Sequence, residues 1–397
     1  MPAPVEIMRP FTGSHPWISF AFDTTRLSWI DQFKLGEVYS KSRHLGNAPL
    51  MPSVSEELHR IFLVKGVLAT TAIEGNTMTE EQVRQRVEGK HNLPQSREYQ
   101  GVAVDKIAEI CNEVLAGIAM GEPPELSYEL VCDFNRRVLH GQDLEAGVVP
   151  GRLRTGSVVV GNYRGAPAED CEYLVRHLVD WLNEDWAPPE APDELRFGLQ
   201  VLKAILAHVY LAWIHPFGDG NGRTARLLEY LLLATQGVPS PACHLLSNHY
   251  NLTRDRYYFE LSRSSRDGKT GIYGFVSYAL EGFVDGFRDQ IDMVLTQQLQ
   301  VTWVNYVHEQ FGGSSLTQTQ RRRRDLVLTM MPGQIVRRGD VPDLSTALAR
   351  AYATKQEKTI TRDLNDLVKR NLVRQVKGGY VPNIEVVYGF LPLAAIS

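Results

Sequence analysis

The stretch from residue 215 to residue 226 is the feature that most constrains this chain. It reads His-Pro-Phe-Gly-Asp-Gly-Asn-Gly-Arg-Thr-Ala-Arg and lies between two apolar segments, residues 204–214 and 227–234. Apolar segments on both sides of a glycine-rich polar loop predict a helix, a turn and a second helix. The start of the second helix presents unpaired backbone N–H groups and the positive end of the helix dipole, so the loop is predicted to bind an anion.

The loop also concentrates reactive side chains. His215 is a candidate base, Asp219 is a candidate ligand for Mg²⁺, and Arg223 and Arg226 are three residues apart and therefore share one helix face. Two guanidinium groups and a carboxylate beside an anion site favour a nucleotide polyphosphate as the ligand. The alternative is a solvated turn whose arginines pair with surface acids, which accounts less well for so many polar groups at fixed offsets.

The same twelve residues match, position for position, the signature of the Fic family, His-Pro-Phe-x-(Asp/Glu)-Gly-Asn-Gly-Arg-x-x-Arg. The chain therefore resembles a Fic-type protein adenylyltransferase, an enzyme that moves AMP from ATP to a protein hydroxyl group. The resemblance covers roughly residues 50–310. It implies a mainly α fold, a Fic-type helical bundle with a β-hairpin flap, which agrees with the many helical patterns along the chain.

The resemblance supports the roles proposed for His215 and Asp219. His215 would take the proton of the target hydroxyl, which then attacks the α-phosphorus, and an imidazole near its ordinary pKa suits this role at neutral pH. Asp219 would bind Mg²⁺ together with α- and β-phosphate oxygens, although it could also cap the following helix. His208 lies seven residues before His215 on the same helix face, and we interpret it as a histidine of the core.

The remaining residues of the loop are implied to bind phosphates. Asn221 and the backbone N–H groups of Gly220 and Gly222 would hold the α-phosphate and stabilise the charge of the transition state. Arg223 and Arg226 would bind the β- and γ-phosphates.

A second motif lies far upstream, where residues 70–76 read Thr-Thr-Ala-Ile-Glu-Gly-Asn at the end of a predicted helix around 54–75. Alone it is an ordinary helix C-terminus. Beside the first motif it resembles the family's inhibitory motif, (Ser/Thr)-x-x-x-Glu-(Gly/Asn), with Thr70 in the first place. This implies that Glu74 pairs with Arg226 and occupies the guanidinium that the γ-phosphate needs. Some family members use this glutamate to position water that removes AMP, so a de-AMPylating hydrolase is an alternative function.

Residues 153–163 carry the one clear β signal before residue 310, with valines at 158–160 bounded by glycines, and predict a short strand or hairpin. This segment resembles the family flap, which covers the site and binds an extended segment of the target along its edge. Four residues would then lie near the nucleotide: Val160, Gly161, Asn162 and Tyr163. The alternative is a plain surface hairpin.

Tyr257 and Tyr258 resemble a tyrosine pair near the family's adenine pocket, where aromatic faces stack on the base. The alternative is two helix residues, one of them in the core. Family members often have an asparagine one or two turns later. This chain has Ser262-Arg-Ser-Ser265 in that region, which departs from the pattern.

The end of the chain differs in charge and pattern. Residues 314–397 hold 14 Lys and Arg against 7 Asp and Glu, a net charge of +7 in a chain of net charge −4. Three predicted helices and a two-stranded hairpin resemble a winged helix-turn-helix domain at 316–397, with residues 359–367 as its recognition helix. It would contact DNA or a protein, and a nucleotide-sensing DNA-binding regulator is a further alternative function. Before it we expect an N-terminal extension at 1–50 and a catalytic domain at 51–310.

Composition narrows the class of protein. Hydrophobic residues make up 43% and charged residues 22%, as in globular proteins. No apolar run reaches the ~18 residues of a membrane span and the first residues lack a signal-peptide core, so we expect no membrane partner. The four cysteines are far apart and form no Cys-x-x-Cys pair, which favours reduced thiols in a cytoplasmic protein. Related proteins often dimerise, so a homodimer is expected.

Overall fold

The structure is a computed structural model with two compact units. The units are Met1–Asp292 and Met293–Ser397. The described residues are 9–90, 93–161, 163–267, 270–312 and 316–388.

The first unit is mainly helical. Its helices are α1 (Pro10–Ser14), α2 (Trp29–Gly46), α3 (Pro52–Ala72), α4 (Glu80–Val87), α5 (Glu98–Met120), α6 (Tyr128–Val138), α7 (Cys171–Asn183), α8 (Asp193–Ile214), α9 (Asn221–Thr235), α10 (Leu245–Leu252), α11 (Arg254–Arg266) and the first part of α12 (Gly271–Phe311). Between α6 and α7 the strands β1 (Val159–Val160) and β2 (Tyr163–Arg164) form an antiparallel hairpin. The predicted helical bundle with a β-hairpin is therefore confirmed.

Helix α8 forms the centre of this unit because it is apolar on all sides. Of the residues that the structure describes, α8 is the one helix long and apolar enough to cross a membrane, and 83% of its most apolar window is buried within the protein. Burial of this kind is typical of a core helix. Helices α2, α7 and α9 pack against α8. Helix α9 in turn contacts α3, α5 and α6, so the loop between α8 and α9 is surrounded by these helices.

Two helix starts illustrate how local sequence sets the boundaries. Helix α4 begins with a capping box, in which the side chains of Thr79 and Gln82 each accept the backbone N–H of the other residue. Helix α3 begins earlier than the sequence indicates. Pro52 occupies its first turn and Met51 precedes it without a side-chain cap, because proline needs no partner for an N–H group at this position.

Beyond the end of α12, the described residues of the second unit form three α-helices and a hairpin. They are α13 (Gln318–Thr329), α14 (Thr346–Tyr352), α15 (Glu357–Lys369), β3 (Val373–Val376) and β4 (Gly379–Pro382). The strands pair antiparallel from Val373 with Pro382 to Val376 with Gly379. The last part of α12 belongs to this unit, because Trp303, Val307 and Phe311 lie in its apolar core. The division at Asp292 thus precedes the boundary expected from the sequence at 310–316.

Most of the arginine run at 321–324 is bonded within the second unit. Arg322 and Arg323 each donate to the buried carboxylate of Asp363 over 2.7 Å, and Arg324 pairs with Asp325. The start of α13 faces α15, so these guanidinium groups neutralise a buried acid.

Candidate active site

The loop between α8 and α9 is held by its backbone and by one amide. His215 ends α8 with a φ of 49°, a left-handed conformation that is uncommon for a residue other than glycine, and Gly220 precedes α9 with a φ of 77°. The buried Asn221 side chain accepts the N–H of Phe217 and donates to its carbonyl, both over 2.9 Å. Asn221 therefore shapes the loop with its side chain, and the backbone N–H is what it can offer a phosphate.

His215 is half-buried and borders the cleft. Its Nδ1 lies 3.4 Å from the carbonyl of Ala212, and its own carbonyl accepts from Arg154 Nε over 2.7 Å. Burial lowers the pKa of His215 to about 4, and the hydrogen bond to Ala212 only partly offsets this effect. The imidazole is therefore neutral at pH 7. If Nδ1 carries the proton, Nε2 is free to accept another.

Asp219 projects from the loop towards solvent. Its side chain is 48% exposed, and Oδ1 accepts the N–H of Gly220 over 2.5 Å. The carbonyl of Asp219 accepts from the buried amide of Asn135 on α6 over 2.9 Å. The same amide accepts the N–H of Gly151, which begins the segment leading to the hairpin. Asn135 thus fixes the backbone of Asp219 and leaves the carboxylate accessible.

The two arginines of the loop are buried with incomplete hydrogen bonding. Arg223 donates to the carbonyl of Val138 over 3.2 Å and lies 3.4 Å from Asp219. Arg226 is 1% exposed and donates through Nη2. Three buried nitrogens have no hydrogen-bond partner: Arg223 Nε, Arg226 Nε and Arg226 Nη1. Buried donors are normally satisfied, so unpaired guanidinium nitrogens at a helix N-terminus fit an anionic ligand.

Glu74 follows the last turn of α3 and reaches this anion site. Its Oε1 lies 2.5 Å from Arg226 Nη2, which also donates to the carbonyl of Thr70 over 3.0 Å. A Cβ added to Gly222 would lie 2.3 Å from the same carboxylate oxygen, so the carboxylate sits directly against the start of α9. Burial, the largest single effect, would raise the pKa of Glu74, but the charge of Arg226, the hydrogen bond to it and the charges of Arg223 and His215 together outweigh burial, and the pKa is lowered.

The hairpin covers one side of the cleft. Val159 and Val160 are about half exposed, while the Tyr163 hydroxyl donates to the carbonyl of Trp213 over 2.7 Å. Arg154 ties the start of this segment to the loop: it bonds the carbonyls of His215, Gly156 and Ala166. Asn162 lies outside the described residues.

A cleft of about 520 Å³ joins these parts, a volume within the range of small-molecule sites. It is lined by Ile73, Glu74, Val160, Gly161, Tyr163, Ala212, Trp213, His215, Asn221, Gly222, Tyr257, Tyr258, Leu261 and Ser262. A larger hollow of about 910 Å³ is bordered by none of the residues of the 215–226 loop. The smaller cleft is therefore the candidate site.

The two tyrosines at one end of the cleft differ in burial. Tyr257 is 3% exposed and its hydroxyl lies 3.0 Å from His208 Nε2, whereas Tyr258 is 44% exposed. Both rings border the cleft, and Ser262 lies beside them. His208 is a core residue as predicted, and its bonding partner is a hydroxyl.

Comparison with known proteins agrees with this geometry. Residues 125–233 match the model of the Fic/DOC family. Over this segment the chain is similar to the Fic/DOC family. Protein adenylyltransferase fic-1 of Caenorhabditis elegans is 32% identical over 54% of this chain and 40% of its own length. Protein adenylyltransferase Fic of Nematostella vectensis is 28% identical over 66% of this chain and 57% of its own length. The chain thus spans between two and three fifths of these relatives.

Two solved Fic structures share the fold. Residues 134–508 of Fic-1 from C. elegans align with a TM-score of 0.54 and 26% identity over 67% of this chain and 73% of that one. A Fic family protein from Desulfovibrio desulfuricans G20 aligns with a TM-score of 0.53 over 88% of this chain and 90% of its own, at 19% identity. The second likeness therefore concerns the fold.

The matched Fic domain contains the loop and the hairpin, but several residues of the cleft lie outside it. Glu74, Tyr257 and Tyr258 come from segments before and after residues 125–233, and the fold brings them to the loop. Sequence reasoning missed Asn135 and Arg154, which hold the loop and the hairpin of this Fic domain. Neither belongs to a motif, and an asparagine in a helix or an arginine before a hairpin carries no local signal.

Proposed function

We propose that this Fic-family chain is a protein adenylyltransferase that moves AMP from ATP to a Ser, Thr or Tyr hydroxyl of a target protein or of itself, and that Glu74 restrains it. One observation carries the proposal: the Glu74 carboxylate bonds Arg226 beside Gly222, within a cleft that His215 also borders. A carboxylate here occupies a site built for an anion, and ATP must displace it.

The groups of the 215–226 loop supply the steps of the reaction once Glu74 has been displaced. His215 accepts the proton of the target hydroxyl as its oxygen attacks the α-phosphorus of ATP. A new phosphorus–oxygen bond forms, the bond between the α-phosphorus and the bridging oxygen breaks, and pyrophosphate leaves. The backbone N–H groups at Asn221 and Gly222 would face the developing charge on the α-phosphate, and that of Gly220 would join them on leaving Asp219 Oδ1. The unpaired nitrogens of Arg223 and Arg226 would bind the β- and γ-phosphates.

We also propose that the Asp219 carboxylate binds Mg²⁺. Among the described residues no cluster of three or more His, Cys, Asp or Glu could hold a metal by itself. A single exposed carboxylate nevertheless suits Mg²⁺, which keeps several waters and binds phosphate oxygens together with one or two carboxylates. Bound there, Mg²⁺ would neutralise charge on the triphosphate.

Glu74 restrains the reaction by competing for Arg226. With the carboxylate in place, one guanidinium nitrogen is occupied and its negative charge repels the γ-phosphate. The triphosphate then binds without its γ-phosphate seated, and the α-phosphorus is turned away from the incoming hydroxyl. Removing the carboxylate restores an open anion site.

Transfer is tested with ATP labelled at the α-phosphate, with mass spectrometry to detect the added AMP. We expect covalent label on the Glu74→Gly protein at a rate well above wild type. In the Glu74→Gly/His215→Ala protein the rate should fall by about 10² to 10⁴, the usual contribution of a positioned base. No label in Glu74→Gly, with purified protein as the acceptor, would contradict transfer to itself. If Glu74→Gly labels neither itself nor added cellular proteins, the proposed adenylyltransferase activity is wrong.

Glu57→Gly is the matched control for the inhibitory residue. Glu57 lies on α3, the helix that Glu74 follows, but its side chain is 53% exposed and pairs with surface Arg60. A glycine there weakens the same helix by about 1 kcal/mol without touching Arg226. Its labelling rate should equal that of wild type, and a rate as high as that of Glu74→Gly would assign the effect to loss of helix stability.

Removal of AMP from a modified protein is a second candidate, favoured by the place of Glu74. Its side chain is 30% exposed and borders the same cleft as His215, so it could orient a water. Water would attack the phosphorus, and the bond to the target oxygen would break and release AMP. Wild-type protein added to labelled Glu74→Gly product should then release label, and Glu74→Gln should release none.

A nucleic-acid role for the second unit is a third candidate. Its three helices and hairpin suit a winged helix-turn-helix, and α15 carries the exposed cations Lys358 and Arg362. Lys377, in the turn between β3 and β4, is also exposed. Cations on a recognition helix and a wing suit the phosphates of duplex DNA. The full chain should bind a duplex library with affinity that falls steeply with salt, and Arg362→Ala should weaken it. Salt-independent binding would favour a protein partner.

The proposal also places the protein in the cytoplasm. ATP is present there, and the four free cysteines would remain reduced. The homodimer stays a prediction from the family resemblance.

A further inference from the structure

The turn that carries Glu74 is bonded from outside by α11. Arg254, the first residue of α11, donates through Nη2 to the carbonyl of Ile73 over 2.6 Å and approaches the carbonyl of Ala72 to 3.5 Å. The Tyr258 hydroxyl lies 3.4 Å from the same Ile73 carbonyl. We propose that Arg254 is a latch that holds Glu74 against Arg226, an inference that rests on the inhibitory role proposed for Glu74.

The hydrogen bond from Arg254 to the Ile73 carbonyl constrains Glu74 because of its position. The Ile73 carbonyl and the Glu74 N–H belong to one planar peptide group, so a bond to that carbonyl fixes where Glu74 begins. The final carbonyls of a helix lack partners within the helix, and a cation there also interacts favourably with the helix dipole. The guanidinium therefore satisfies a group that α3 leaves open.

The residue after Glu74 does little to fix the turn, so its conformation depends on the hydrogen bond from Arg254. Gly75 has a φ of 91°, which only glycine adopts readily, so the chain can change direction there at little cost. On the far side, Asn76 donates to the carbonyl of Gln100 over 3.1 Å. Glu74 is thus held between a fixed point at Asn76 and the latch at Ile73, with a flexible residue beside it.

Loss of Arg254 should shift the turn towards conformations in which Glu74 leaves Arg226. The residue has no described contact with Arg226 or His215 and does not itself line the cleft, although its guanidinium lies 5.8 Å from the centre of the Tyr258 ring, which does. Arg254 is therefore a positioning residue, and the latch requires that its effect on AMP transfer pass through Glu74, whereas an effect through Tyr258 would not depend on Glu74. Arg254→Ala should raise activity where Glu74 is present and do nothing where Glu74 is absent.

A double-mutant cycle tests this dependence. Initial rates of self-labelling and the Kd for ATP are measured for wild type, Arg254→Ala, Glu74→Gly and the double variant. We expect Arg254→Ala to raise the wild-type rate at least about threefold, and to change the Glu74→Gly rate by less than about twofold. Arg254→Lys, which keeps a donor and a charge, should fall between wild type and alanine.

Arg256→Ala is the matched control. Arg256 is two residues further along α11, is exposed, and pairs with Glu281 over 2.9 Å. Its removal should leave the rate unchanged. A Kd for ATP that rises equally in both backgrounds would make Arg254 a nucleotide contact and overturn the latch, as would an unchanged rate in Arg254→Ala. If Glu74→Gly itself shows no gain, the proposed inhibition fails first.

Discussion

At the scale of single residues, the site is a set of charged groups that satisfy one another incompletely. Arg226 is buried, yet two of its nitrogens have no partner, and Glu74 neutralises it from a position that is 30% exposed. A buried guanidinium without a counter-ion is costly, so the carboxylate stabilises the protein without nucleotide. Under the proposed function the same contact would also restrain the enzyme, because ATP needs the same guanidinium.

His215 leads to a prediction about pH. Burial lowers its pKa to about 4, and Glu74 raises it, so removal of Glu74 cannot bring the pKa back towards its ordinary value. The neutral, proton-accepting form then persists to about pH 5. We expect kcat/KM of Glu74→Gly to lack an acid limb near pH 6.5 and to fall only as the pH approaches 4, because kcat/KM reports the free enzyme.

This pH profile is measured at constant Mg²⁺, with the Kd for ATP followed at each pH. Glu74→Gly/His215→Ala should retain only a low rate and lose the limb near pH 4. A limb near 6.5 that disappears with His215 would show that the imidazole is more solvated than its place beside Ala212 indicates.

At the scale of secondary-structure elements, the N-terminal segment has a place in the site. His15 is 5% exposed, and its Nε2 lies 2.9 Å from the carbonyl of Arg164 in β2. Its ring also packs edge-on against Tyr163. The residues before α2 thus support the hairpin from behind, which gives the segment at 9–28 a structural role that its sequence did not indicate.

The support by His15 should affect the target more than ATP. His15→Ala removes the hydrogen bonds to Ser14 and to the Arg164 carbonyl and the packing on Tyr163, of which the contacts with the hairpin are together worth about 1 kcal/mol or somewhat more. In the Glu74→Gly background we expect labelling to fall about fivefold with an unchanged Kd for ATP. His44→Ala, which removes an exposed histidine of α2, is the control. An equal loss of ATP binding would mean that His15 supports the cleft as a whole.

At the scale of the whole molecule, burial of ionisable groups links stability to pH. Glu229 on α9 is 1% exposed, accepts from the Tyr250 hydroxyl over 2.8 Å, and lies 3.7 Å from His208. Burial raises the pKa of Glu229 to about 8 and lowers that of His208 to about 3. Both groups are therefore neutral near pH 7. They can lie together behind Arg226 without either of them carrying a buried charge.

Glu229 should make the protein less stable as the pH rises. Between its ordinary pKa of 4.5 and about 8 the folded protein keeps a proton that the unfolded chain has lost. The free energy of unfolding therefore declines across this window, by up to about 1.4 kcal/mol per pH unit. Glu229→Gln cannot ionise and should show a flatter dependence in urea unfolding between pH 6 and pH 8.

Glu281→Gln serves as the control because Glu281 is exposed and paired with Arg256. It should leave the slope of wild type unchanged. Equal slopes for wild type and Glu229→Gln would mean that Glu229 is already ionised in the folded protein.

The sequence by itself determined the local parts of this protein. The apolar periodicity predicted the long helices. The glycine-rich loop predicted an anion site, and the valines between glycines predicted the hairpin. These features depend on residues that are close in sequence, so a short segment of sequence is enough to predict each of them. The pairing of Glu74 with Arg226 was also expected, but from the family resemblance. No local pattern joins residues 152 positions apart.

Only the tertiary structure decided which distant groups support the site. Asn135 holds Asp219, Arg154 holds His215, Arg254 holds the turn before Glu74, and His15 holds the hairpin. Each of these side chains bonds a backbone carbonyl. Because every residue has a carbonyl, the type of residue that accepts the bond does not indicate from the sequence that the bond forms. The tertiary structure also turned the Asn221 amide into the loop and the arginines at 322–323 onto Asp363, because a buried polar group bonds whichever partner packing brings near.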